Sequence, residues 1–233
     1  MVTGVSSAWI KELVMDIVKG SLPTVDTLIA AVQVGDKESI ISILKDLGKE
    51  ELNSRHESGL TPLTAAIYAG GESTTLEIMK LVLDSGFDVD YTNNNGAAAL
   101  HIAAFDGNLE ALSLLAENHA TIDKSDNNGW TPLIHALMGR HTQCAERLFQ
   151  KEENVNVRVP LGNRTILMLI AAHGDRDGLS WLLDKGAKID NVDESGHTAL
   201  EIAKEALIRA TKEKDITRIN ENIALLEKQT SQT

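Results

Sequence analysis

This chain of 233 residues has one cysteine, only eight aromatic residues, no net positive charge and no long apolar run. A lone Cys144 closes no internal disulfide. Together with the start at Met1 and the lack of a signal sequence, it leads us to expect a soluble protein in a reducing, cytoplasmic compartment. The N-terminal apolar stretch is broken by Lys11, Glu12 and Asp16, and no segment approaches the roughly 18 apolar residues of a membrane span. No membrane partner is expected. The formal charge of −12 makes a polyanion such as nucleic acid a poor partner. Residues 196–233 balance their acids and bases, so this whole excess lies in residues 1–195.

The hardware of common catalytic sites is missing as well. There is no Gly-x-x-x-x-Gly-Lys segment, no dinucleotide-binding glycine fingerprint and no His-Glu-x-x-His helix, so phosphate cradling and zinc hydrolysis lack their usual geometry. Asp175-Arg176-Asp177-Gly178 has neither the first acid pair nor the distal Glu of a calcium loop and reads as an interhelix turn. Cys144 with His135 and His141 lacks an orienting acid and an oxyanion donor. We therefore expect no enzyme activity, no cofactor and no metal site. Asn163-Arg164-Thr165 matches a glycosylation acceptor, which without secretion is a coincidence.

What the chain has is repetition. Gly59-Leu60-Thr61-Pro62-Leu63, Gly96-Ala97-Ala98-Ala99-Leu100, Gly129-Trp130-Thr131-Pro132-Leu133 and Gly196-His197-Thr198-Ala199-Leu200 are four copies of one pattern, and Asn163-Arg164-Thr165-Ile166-Leu167 is a fifth with Asn in place of Gly. From Leu63 to Leu100 is 37 residues, and the later steps are 33, 34 and 33. A period near 33 marks stacked helical units that cannot bury their apolar faces alone.

Within a unit, Thr61 and Thr131 are placed to cap a helix whose first turn accepts Pro62 or Pro132, because proline has no donor to waste there and its φ is already helical. A thin stripe of Leu and Ala follows, small enough for close helix approach. Gly70, Gly107 and Gly174 end this first helix. A second helix carries larger apolar residues, such as Ile78, Met79 and Val82, and Gly86 or Gly186 closes it before an extended excursion to the next unit.

These segments resemble the ankyrin repeat family, most clearly Gly-Leu-Thr-Pro-Leu-Thr-Ala-Ala at 59–66, Ala-Leu-His-Ile-Ala-Ala-Phe-Asp-Gly at 99–107 and Leu-Leu-Asp-Lys-Gly-Ala at 182–187. The resemblance implies an all-α fold, an ankyrin-repeat solenoid of stacked helix pairs with β-turn fingers, capped by terminal helices and used to bind other proteins. We expect an N-terminal amphipathic capping helix in 1–22, an array of about six repeats in 23–212 with the first and last degenerate, and a C-terminal capping helix and tail in 213–233. His119 and Glu152 stand where the family places Gly after the second helix, and Arg140 where Gly ends the first. These departures should strain or reshape their loops. The four extra residues near 71–75 (37 − 33 = 4) should bulge between the two helices of their unit.

Function then rests on the variable slots, which in this architecture are the finger tips and the positions five and six after each repeat Leu. Three of the eight aromatics, Tyr68, Phe105 and Trp130, fall there, joined by Met138. Aromatic side chains carry much of the energy of protein interfaces. We expect these four to form one accessible strip on the concave face, with Leu60, Asp106, Arg164 and His173 completing a partner-binding surface. Asp106, Asp126, Glu57 and Asp90 should supply an acidic rim that favours a basic partner segment, and Arg158 and Arg164 a small basic island. The leading expectation is a noncatalytic, monomeric interaction module for another protein. The alternatives are a regulatory or inhibitory subunit that sequesters its partner, and a substrate of an asparaginyl hydroxylase, because Leu148 eight residues before Asn156 resembles the site such enzymes modify in ankyrin fingers.

Overall fold

The structure, a computed structural model, describes residues 24–54, 59–69, 72–150 and 152–231. The amphipathic helix expected around Ile10–Val18 and the acidic Glu57 lie outside these. The fold is helical. The described part of the chain divides into two compact units, one running to Ala103 with Leu109–Thr121 added, the other comprising Ala104–Asn108 and everything from Ile122 onward.

In the first unit, α1 (Val25–Val34) and α2 (Lys37–Asp46) form a helix pair, followed by the short α3 (Lys49–Leu52) and a second pair, α4 (Pro62–Ala69) and α5 (Glu72–Asp84). The helix α1 packs on both α2 and α4, and α5 on both α2 and α7 (Leu109–Glu117). A packed helix pair therefore stands where the degenerate first repeat is expected. Thr24 and Thr27 exchange hydrogen bonds to cap α1, and Gly35, at φ 71°, ends it in the left-handed conformation that costs a Cβ-free residue least. Thr61 does the same for α4, its Oγ1 accepting the Thr64 amide at 3.1 Å. Thr131 precedes its helix as expected but makes no side-chain cap bond.

The extra residues near 71–75 do not bulge. In the next repeat α6 (Ala99–Asp106) is followed by α7 of 9 residues, whereas α5 has 13. Four residues are close to one helical turn of 3.6, so the insertion is absorbed as a turn with little rotation of the buried face. The core register confirms this: buried Ile78, Met79 and Val82 lie 15, 16 and 19 residues after Leu63, and their counterparts Ala111, Leu112 and Leu115 lie 11, 12 and 15 after Leu100. Thr75, buried in the added turn, donates to the Ala66 carbonyl at 3.3 Å and ties it to α4.

The second unit holds α8 (Pro132–Met138) with α9 (Thr142–Leu148), α10 (Ile166–His173) with α11 (Arg176–Asp184), and α12 (Ala199–Arg209) with α13 (Glu213–Thr230). A two-residue hairpin, β1 (Arg158–Val159) paired antiparallel with β2 (Arg164–Thr165), precedes α10. First helices follow one another, α10 lying against α8 and α12, and second helices do likewise through α9, α11 and α13. At 18 residues α13 is twice the length of α11, and it buries Ile219, Ile223 and Leu226 against its neighbours. Fully buried Asn222 donates to the carbonyls of Ile170 and Ala171, both at 3.1 Å, satisfying acceptors left open near the end of α10.

Replaced glycines keep the glycine backbone. His119, Arg140 and Asn163 are the non-glycine residues with positive φ among those described, at 65°, 67° and 52°. Glu152 instead opens a 3-10 turn, Glu152–Asn156. For Arg140 the strain has an offset. Its guanidinium donates to the carbonyls of His173 and Gly174, both at 3.0 Å, and lies 3.6 Å from buried Asp175, tethering one repeat to the end of the next repeat's first helix. The left-handed backbone costs a residue with a Cβ about 1 kcal/mol. Arg140→Gly removes strain and tether together, and Arg140→Ala removes only the tether. We expect thermal midpoints in the order wild type, Gly, Ala; an alanine variant melting with wild type would show that the tether contributes nothing.

Candidate partner-binding surface

Three of the fingers are each closed by one side chain three residues before the glycine. Asn93 Oδ1 accepts the amides of Asn95 and Ala97 at 2.9 and 3.0 Å, Asp126 Oδ1 those of Asn128 and Trp130 at 2.8 and 2.9 Å, and Asp193 Oδ1 those of Ser195 and His197 at 2.9 and 3.0 Å. The fifth copy has Pro160 at this place, which offers no acceptor, and the β1–β2 hairpin shapes the finger instead. Neighbouring fingers are joined in the same way. Asn53 Oδ1 accepts from the Asp88 amide, Asp90 Oδ1 from Thr121 and Asn156 Oδ1 from Lys188, each at 2.9 Å.

Asp126 is therefore not part of an exposed rim. Its carboxylate is buried, and its second oxygen lies 3.0 Å from His135 Nε2. Burial alone would raise its pKa; the Trp130 amide, the His135 ring and the Asn128 amide outweigh it and hold the group below the ordinary carboxylate value. The imidazole so anchored stands between two aromatic rings. Trp130 meets it edge-on at a centroid distance of 5.6 Å, and Phe105 at 6.3 Å from the other repeat. Phe105 is 46% exposed, while Trp130 and Met138 are half-buried. Gly139 is required here for close approach, since a Cβ at that position would fall 2.1 Å from the Phe105 carbonyl oxygen.

The second unit thus sets Phe105 and Trp130, from two successive repeats, against His135, the element that composition and slot position did not single out, and Met138 follows three residues later on α8. The Asp126 to His135 spacing of nine residues was the available signal. Tyr68, 56% exposed, and half-buried Leu60 belong to the first unit. Asp106 is exposed beside the aromatic group; partial burial raises its pKa, against a smaller lowering by His141.

The basic island is engaged within the chain. Arg158 donates to the carbonyls of Asn163 and Val192, at 2.6 and 2.8 Å, and Arg164 Nε lies 3.4 Å from the buried carboxylate of Asp193. Asn156, the hydroxylation candidate, uses both ends of its amide, its Nδ2 donating to the Gly186 carbonyl at 3.0 Å. His173 is exposed at the end of α10. Leu161 and Ile208, 83% and 84% exposed, are apolar surface residues that the slot rule passes over. Among the described residues no group of three or more His, Cys, Asp or Glu could hold a metal, and no helix is long and apolar enough to cross a membrane.

The depressed Asp126 pKa gives a signed prediction. A group whose folded pKa lies below its unfolded value, about 3.9 for Asp, contributes stability above that value and loses it as pH falls through the folded pKa. Urea midpoints should fall between pH 6 and pH 3 for the wild type and fall less steeply for Asp126→Asn. Parallel curves would show that this carboxylate is not linked to folding.

The sequence profile described as Ankyrin repeats (3 copies) matches residues 28–126 and 71–159. Among curated relatives, the chain is 34% identical over 147 residues to human SH3 and multiple ankyrin repeat domains protein 2, covering 63% of this chain and 8% of that protein. It is 26% identical over 201 residues to L-asparaginase of Dirofilaria immitis, covering 83% of this chain and 32% of that protein. It therefore spans a minor part of each relative's length. Among solved structures, it matches a chain of the complex between the predatory endopeptidase Bd0816 of Bdellovibrio bacteriovorus and the immunity protein Bd3460, with TM-score 0.65 and 26% identity over 83% of this chain and 96% of that one. The repeating helix pairs, the glycine-bounded fingers and these matches together make the chain a member of the ankyrin repeat family.

Proposed function

We propose that this chain is a noncatalytic, monomeric module that binds another protein, with Phe105, Trp130 and Met138 at the centre of the contact on the concave side of the repeats. The observation that carries this reading is the Phe105–His135–Trp130 group, two partly exposed rings set edge-on to an imidazole whose orientation is fixed by a buried carboxylate. Such rings are already ordered before a partner arrives, so binding loses little side-chain entropy in fixing them. Within the second unit Arg164 and His173 extend the surface, exposed Asp106 with the acidic excess favours a basic partner segment there, and in the first unit Tyr68 and Leu60 are the residues offered to a partner.

A second reading, that the chain is an inhibitory subunit which covers its partner's working surface, is favoured by the likeness to a chain of an endopeptidase and immunity-protein complex, which extends over 83% of this chain. The two readings use the same face. Truncating Phe105 or Trp130 to Ala should weaken a partner recovered by affinity capture by about 2 kcal/mol or more, with the melting temperature little changed. Asp106→Lys should mainly slow association and flatten its salt dependence, because rim charges steer encounter. An affinity indifferent to both truncations would remove the aromatic face from the interface. Loss of the captured partner's own catalytic activity on binding would select the inhibitory reading, and undiminished activity the plain interaction module.

A further inference from the structure

One region reverses the charge of the rest. A cavity of about 610 Å³ opens between the ends of α10 and α12, the linker 210–212 and the start of α13. Four cationic side chains, Arg140, Arg209, Lys212 and Arg218, line it with His173 and a single carboxylate, Asp215, in a chain whose net charge is −12. Arg140 is spent on the carbonyls of α10 and on Asp175, and Arg209 lies 3.6 Å from Glu205. Lys212 and Arg218 have no ion-pair partner among the described residues. Their placement is fixed by backbone: Gly174 lies against Arg218 so closely that a Cβ would meet the Arg218 Cβ at 2.8 Å, which brings the first turns of α13 over the end of α10.

We infer that this cleft receives an acidic segment of the protein partner, its carboxylates set between Lys212 and Arg218. His173 reports the local field as well: although its surface is exposed, partial desolvation of the ring at the cleft wall, then the positive charges of Arg140 and Arg218, hold its pKa below the ordinary value despite Asp175 and Asp215. An anion entering the cleft removes like-charge repulsion among cations that the chain itself leaves unpaired. A planar guanidinium can bind a carboxylate through two parallel hydrogen bonds while an ammonium holds it as a point charge, so the pair suits carboxylates spaced along an extended peptide. A nucleic acid or an anionic membrane would be repelled by the acidic remainder of the surface, whereas a short acidic segment meets only the cleft.

The inference rests on the reading of the chain as a protein-binding module, and its test is separable from that reading. A fluorescently labelled hexaglutamate peptide, titrated onto the full chain at low salt, should bind at least tenfold more tightly than a Gly-Ser peptide of equal length. Lys212→Glu and Arg218→Gln should each weaken it severalfold, while Lys188→Glu, on a finger, leaves it unchanged. Thermal melts check that each variant is folded. Hexaglutamate binding no better than the neutral peptide, indifference to Lys212 and Arg218, or equal displacement by inorganic phosphate, which would mark a small-anion site, would each overturn the cleft assignment. The aromatic face would then still stand or fall by partner capture alone.

Discussion

A first helix of seven or eight residues with a stripe of alanines cannot shield itself from water on its own. The packing of the helices follows from that limit. Ala65, Ala66, Ala136, Ala171 and Ala203 are buried because another helix lies against each, and the larger residues of the second helices close the remaining sides. Since alanine carries no rotamers, close packing here costs little side-chain entropy. The stability of each pair therefore depends on its neighbours. The ends need special treatment, which the second unit supplies with an outer helix of 18 residues and the buried amide of Asn222 bonded to two carbonyls of α10.

The fingers obey a different rule. They lack an apolar core of their own, so order comes from carboxylate and amide side chains that accept backbone N–H groups. Asp126 links this local chemistry to the proposed binding surface, because the carboxylate that closes the finger also orients His135 between Phe105 and Trp130. Folding and the proposed recognition surface thus share one ionised group. Close by, Gly139 lets the Phe105 backbone approach where a larger residue could not. The aromatic group is a product of two repeats in register.

Much of the fold was legible because its signals are periodic. The Thr-Pro entries, the Leu spacing and the closing glycines each mark a boundary, and their recurrence removes the ambiguity that any one of them has. The four added residues were misread as a loop because spacing reports length without conformation, and only the nearness of four residues to a helical turn decides that they extend α5. Arg140 was visible as a departure, but its use as a tether was not, since its partners are carbonyls 33 and 34 residues away with no side-chain signature. The site was read in the same uneven way. Phe105, Trp130 and Met138 follow from slot position, while Asp126 reads as a rim charge in sequence and becomes an internal acceptor only once Trp130 and His135 fold around it. The basic cleft escaped notice because its members come from three helices and a linker and cancel against local acids when the tail is counted as a line.

The rungs between fingers have a direction. In three of them, a side-chain oxygen on the earlier segment accepts from a backbone amide on the later one: Asn53 from Asp88, Asp90 from Thr121 and Asn156 from Lys188. The donor half comes from the main chain and is indifferent to sequence; only the acceptor half has to be encoded. A gene duplication that copies one whole period therefore carries its own acceptor and finds a ready donor in whatever repeat comes next, so the array can lengthen by recombination without a compensating change at the seam.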